Sequence, residues 1–161
     1  MRLEFTLIVA GILIILLISL INLVFILREN RQNIQGAAKD LKDKVRAYLD
    51  IVPLMMFKSG NQDKKIYKER AEWYENWNNT DKHWKIWSEL MPTLSKIEIE
   101  DDTLKVHIQE AELNVHESVH TYNEQVIKLN NRLKKFRYKT ARTLYLGGKV
   151  RRRKILEDQA I

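Results

Sequence analysis

Residues 116–120 read His-Glu-Ser-Val-His, which sets two imidazoles one helical turn apart with a carboxylate beside them. Zinc hydrolysis uses that spacing: the histidines hold the metal and the glutamate activates its water. A catalytic zinc also needs a third protein ligand and an open position. The nearest downstream candidates are Glu124, one turn further along the same stretch, and Glu157 close to the end of the sequence. A peptide substrate needs a cleft as well, commonly with a strand edge, and no segment here reads as a strand. The expectation is therefore no catalytic residue set and no resident cofactor. His116 and His120 stand as the candidate metal ligands, and a membrane-tethered zinc metallopeptidase built on His116-Glu117-Ser118-Val119-His120 is the alternative function.

The other chemistry-bearing group is cationic. Residues 125–156 contain 12 Lys and Arg and no acid, whereas residues 1–124 are net −3, so the overall charge of +7 resides in one segment. Its densest part is Lys149, Arg151, Arg152, Arg153 and Lys154, the candidate lipid-binding residues. An anionic leaflet attracts each nearby base by about 1 kcal/mol, less at high salt. Nucleic-acid phosphate would meet the same charges, but no groove-reading or stacking module accompanies them. A solvated tail without a partner is the third reading.

Elements must place these groups, and the composition argues for helices. Five glycines and two prolines in 161 residues are too few for the turns of an all-β sandwich. The absence of cysteine removes disulfide frameworks, Cys-ligated zinc and thiol nucleophiles together.

From Phe5 to Leu27 the chain is uncharged, and 18 of its 23 residues are Leu, Ile, Val or Phe. At about 1.5 Å per residue this run spans roughly 34 Å, enough for a bilayer core of about 30 Å. A cleaved signal peptide would be shorter and end in small residues, whereas this run ends Val-Phe-Ile-Leu-Arg-Glu-Asn, so a retained anchor is expected. Arg2 flanks it on one side and Arg28, Arg31, Lys39, Lys42 and Lys44 on the other, which predicts the N-terminus outside and the body in the cytoplasm.

Beyond the anchor, Ile34, Ala38, Leu41, Val45, Tyr48, Val52 and Met55 form a one-sided helical stripe. Gly36 is no strong stop, so the membrane helix is expected to run on into this one. Pro53 is expected to kink or locally unwind it, and Lys58-Ser59-Gly60-Asn61 to end it. A second stripe, Ile108, Ala111, Val115, Val119, Tyr122, Val126, Leu129, Leu133 and Phe136, predicts a helix over 103–136. Its length calls for another long helix as partner, and residues 34–58 supply one. Two shorter helices over about 62–79 and 81–98 are expected between them, separated at Asn78-Asn79-Thr80 and ended at Met91-Pro92 and the acidic turn 98–102. All four tryptophans, Trp73, Trp77, Trp84 and Trp87, fall here; their helical one-face spacing favours packing of a small bundle over base stacking.

The strings Leu-Asp-Ile-Val-Pro-Leu-Met-Met at 49–56 and Tyr-Asn-Glu-Gln-Val-Ile-Lys-Leu-Asn-Asn at 122–131, behind an N-terminal anchor, resemble the LemA family of bacterial membrane-anchored helical proteins. Leu49, Asp50, Ile51 and Pro53 match that family's helix-breaking string with Val52 inserted, and Tyr122, Asn123 and Asn130 match the marks of its last helix. The resemblance covers about 28–59 and 104–148; the tryptophan-rich middle and the basic end depart from it. It implies a single-span protein with a helical body and no catalytic residue set.

The expected architecture is all-α: a flank at 1–4, a transmembrane helix at 5–27, an elongated antiparallel helical bundle over 28–136 and a basic tail over 137–161. If the last long helix returns along the first, its basic end meets the headgroups, with Tyr138, Leu144, Tyr145 and Leu146 able to dip in. The expected function is a non-enzymatic scaffold or interaction protein. The bilayer and anionic lipids are its expected partners, with protein partners or self-association beside them and nucleic acid disfavoured.

Overall fold

A computed structural model describes residues 2–60, 63–75, 80–145 and 155–156. All regular structure among the described residues is helical: α1 (Arg2–Ser59), α2 (Lys64–Glu75), α3 (Thr80–Leu94), α4 (Asp102–Lys134) and α5 (Phe136–Tyr145). The chain divides into two compact units, Met1–Gln35 with Glu124–Ile155 and Gly36–Asn123 with Leu156–Ile161. Helix α1 contributes to both.

One helix in the described chain is long and apolar enough to cross a membrane, and no residue of its most apolar window is buried. Within α1 the change of environment begins on one face: Leu20, Leu23, Val24 and Ile26 are partly covered and Leu27 is fully buried, whereas Phe25 is 68% exposed. Leu27, Asn30 and Ile34, spaced 3 and 4 residues apart, are the buried positions of its first unit. Asn30 is accommodated there because its Nδ2 donates to the Ile26 carbonyl one turn back. From 124 onward the same unit buries Val126, Leu129, Leu133, Tyr138 and Ala141.

In the second unit the α1 stripe is buried at Leu41, Val45, Tyr48, Val52 and Met55, widened by Leu49 and Met56. The facing stripe on α4 buries Leu104, Ile108, Val115 and Val119. Side-chain hydrogen bonds join these helices: Ser118 Oγ donates to Asp40 Oδ2 at 2.8 Å, and Tyr48 Oη donates to Glu112 Oε1 at 3.1 Å. Burying these apolar side chains of α1 contributes on the order of 10 kcal/mol before chain entropy is set against it.

Helix ends follow local chemistry. Gly60, at φ 65°, takes the left-handed conformation after α1, and its amide bonds the Phe57 carbonyl. Asp101 opens α4: its carboxylate accepts from the Leu104 amide at 3.0 Å and pairs with Lys58 at 3.2 Å. Those contacts, the backbone bond first and Lys58 next, hold its carboxyl below the usual range.

Several boundaries differ from expectation. Pro53 neither ends nor unwinds α1, which continues to Ser59. Pro92 lies inside α3, which runs on to Leu94, and residues 97–101 carry no helix. Helix α4 stops at Lys134 rather than 136, and Phe136 with nine residues expected in the tail forms α5. The stretch 76–79, with Trp77, lies outside the described residues.

Candidate functional site

The His-Glu-Ser-Val-His pattern sits in the middle of α4 and is divided between two environments. Val119 and Ser118 are buried, and Ser118 is committed to Asp40 of α1. His116 is half-buried, while Glu117 and His120 are exposed. Among the described residues no group of three or more His, Cys, Asp or Glu could hold a metal ion. The pair therefore has one turn of helix but no third ligand beside it among those residues. Glu157 lies outside them.

A different constellation lies where α2 meets α1. Proline lacks the amide that would bond the carbonyl four residues back, which for Pro53 is that of Leu49. That freed carbonyl accepts from Arg70 Nε at 2.8 Å. The same guanidinium reaches Asp50 Oδ1 through Nη2 at 3.4 Å. Tyr74 Oη donates to that carboxylate oxygen, and Arg46 pairs with its other oxygen at 3.9 Å. The Arg70 guanidinium also stands 5.0 Å over the Tyr74 ring. Burial, then the hydrogen bond and negative charge of Asp50, raise the Tyr74 phenol above its ordinary value. The Leu-Asp-Ile-Val-Pro string thus forms a receptor: proline exposes an acceptor, aspartate adds a charge, and α2 supplies the arginine that satisfies both. This explains how α1 continues through Pro53, since the carbonyl it strands is met from another element.

Behind this network the aromatic middle packs inward. Trp73 is almost fully buried and stacks on His83, ring centroids 4.6 Å apart and planes 20° apart. Trp87 meets Tyr48 edge-on at 5.1 Å. His83 is buried, and burial followed by the Lys42 charge lowers its pKa, partly offset by the Trp73 main chain. Asn123, at the end of this unit's share of α4, bonds both main-chain groups of Leu156. Beside Tyr48, Glu112 and Lys105, an open groove of about 540 Å³ runs past the segment 97–100.

The candidate lipid-binding residues Lys149, Arg151, Arg152, Arg153 and Lys154 lie outside the described residues, as does Leu146. Among the described bases of that segment, Lys128, Lys134, Lys135 and Lys139 are exposed, while Arg142 is partly covered. Tyr138 is 5% exposed, which corrects the expectation that its ring enters the headgroups: α5 turns it, with Ala141, into the protein. Sequence reasoning had no signal for Arg70 or for the Asn123 contact with Leu156, whose partners lie 20 or more residues away.

No family model matches the chain, and no curated protein or solved structure matches it either.

Proposed function

We propose that the chain is a non-enzymatic, single-span membrane protein of LemA type whose cytoplasmic body is an antiparallel helical bundle serving as a scaffold or interaction surface. One observation carries this reading. Apart from Gly11, the residues of 5–19 are all exposed, and only one face of 20–26 is partly covered, while the same helix continues, without interruption, into a packed body. An apolar surface that no protein covers needs another apolar medium, and its length fits a bilayer.

The antiparallel arrangement is supported by the order of the two seam hydrogen bonds. Position 40 of α1 pairs with 118 of α4 and position 48 with 112, so one numbering rises as the other falls. The lipid-facing role of the basic segment is supported by the grouping of its described part, since residues 124–145 belong to the same compact unit as 2–35. A cationic run near the foot of the anchor would meet anionic headgroups directly. The absence of an activity is argued from the His-Glu-Ser-Val-His turn, two of whose five residues are spent on helix packing.

The chain has no cysteine, so Val150→Cys allows one environment-sensitive dye to be placed inside the basic run of the full-length protein. In vesicles its emission should shift blue when anionic lipid is added and return at high salt; identical emission with neutral and anionic lipid would reject the lipid-facing role. Ile15→Arg should weaken insertion by about 2.5–3.5 kcal/mol, read as a larger alkali-extractable fraction. Protease digestion of the body from outside intact cells would reject the topology. A tight one-to-one zinc site, lost in His116→Ala, would revive the peptidase.

A further inference from the structure

One short piece of chain is held between the Asn123 amide and an aromatic cleft. Asn123 Nδ2 donates to the Leu156 carbonyl at 2.8 Å, and the Leu156 amide donates to Asn123 Oδ1 at 2.9 Å. One side chain thus meets both main-chain groups of one residue, the exchange made by a hydrogen-bonded pair in an antiparallel ladder. Such a contact reads backbone and is indifferent to the side chain attached to it. Specificity comes from the other end of the residue. Leu156 is buried, and it shares an apolar cleft with Leu41 and Val45 of α1, Trp73 of α2, and His83, Trp84 and Trp87 of α3. The space left among them is about 20 Å³, room for a single water at most. Ile155 is 45% exposed, so of the two described residues only the leucine is an anchor. Neither residue belongs to a helix or strand, and the position of Leu156 rests on these contacts.

We propose that this cleft is a recognition site for an extended, leucine-anchored peptide segment, and that the chain's own residues 155–156 are its resident occupant. The pattern it reads is a free backbone N–H and C=O on a residue whose side chain fills a leucine-sized hole. The site stands whether or not the basic run meets lipid.

A fluorescently labelled synthetic peptide of residues 149–161, added to the full-length protein in detergent micelles, tests this. Tethering gives the resident segment an effective concentration in the millimolar range, so wild type should show no saturable binding. The variant L156D, whose own segment cannot dock, should bind the peptide. A peptide carrying L156D should not bind that variant. Adding Asn123→Ala to it should weaken binding roughly 30-fold, the effect of two ordinary hydrogen bonds. Equal binding to wild type and L156D, or none to a folded L156D, would overturn the proposal. A wild-type dimer that L156D abolishes would overturn the assignment of the occupant, placing a second copy's segment in the cleft. If L156D does not fold, hydrogen exchange decides: the Leu156 amide should be protected in wild type and exchange freely in Asn123→Ala, and equal exchange in both would overturn the proposal.

Discussion

Helix α1 is one secondary structure in two surroundings. Between 5 and 19 its apolar side chains are exposed on every side, Ile15 being 68% exposed, and between 20 and 26 only one face is partly covered. Between 34 and 56 it has charged and apolar faces, and Leu49 and Val52 are wholly buried. Helicity is common to both halves, so backbone propensity does not distinguish them. What differs is the angular distribution of apolar residues, which decides whether a helix seeks lipid or a neighbouring helix. Equal substitutions in the two halves should therefore report to different instruments.

The largest contrast comes from truncating one apolar side chain in each half. Leu49→Ala should lower the unfolding free energy of the body by about 2–5 kcal/mol, because a buried cavity is left behind. Ile15→Ala should leave thermal unfolding of the body unchanged in the same micelles. Equal losses for the two would mean that the upper half packs against protein.

A second test concerns the proline in the packed half. Arg70→Ala strands the Leu49 carbonyl and should cost about 1–3 kcal/mol. Pro53→Ala restores an amide donor to that carbonyl, so in this background the Arg70→Ala penalty should shrink by about 1 kcal/mol in a double-mutant cycle. Strict additivity would show that Arg70 acts only through Asp50.

A pH titration separates the halves again, since His83 belongs to the packed unit and the uncovered half has no histidine. Its folded pKa lies below the ordinary value of about 6.5, through burial and then the Lys42 charge. On acidification the unfolded chain takes up that proton first, so this contribution to stability is intact above about 6.5 and is lost as the pH falls. The melting temperature of wild type should drop between pH 7 and 5 more steeply than that of His83→Gln; parallel curves would remove His83 from the account.

The smallest effect is a gain. An added Cβ at Gly36 meets no atom within 4 Å, so Gly36→Ala should stabilise α1 by about 0.5–1 kcal/mol, seen as a slightly raised melting temperature.

Much of the helical pattern was legible residue by residue. Of the α1 stripe, Ile34, Leu41, Val45, Tyr48, Val52 and Met55 are buried and Ala38 is half-buried; on α4 every described member of the stripe but Ala111 is buried. Gly60 after Ser59 was equally readable, because only glycine takes that turn without strain. The break at Lys135 was not: no glycine or proline marks it, and the residues around it keep helical composition.

The polar contacts divide along the same line. Leu-Asp-Ile-Val-Pro could be quoted as a string without revealing that Pro53 frees the Leu49 carbonyl for an arginine 21 residues on. Tyr-Asn at 122–123 gave no hint that the amide would clasp residue 156. The linear order of residues determined that this chain would be helical, where its apolar faces run, and that one stretch suits a bilayer, because these are periodic properties of neighbours along a backbone. Which donor meets which stranded carbonyl, and which leucine closes the tryptophan cleft, was decided only by packing. A polar group's need for a partner is felt once water has been excluded around it, and its partner is then chosen by proximity in space rather than along the chain.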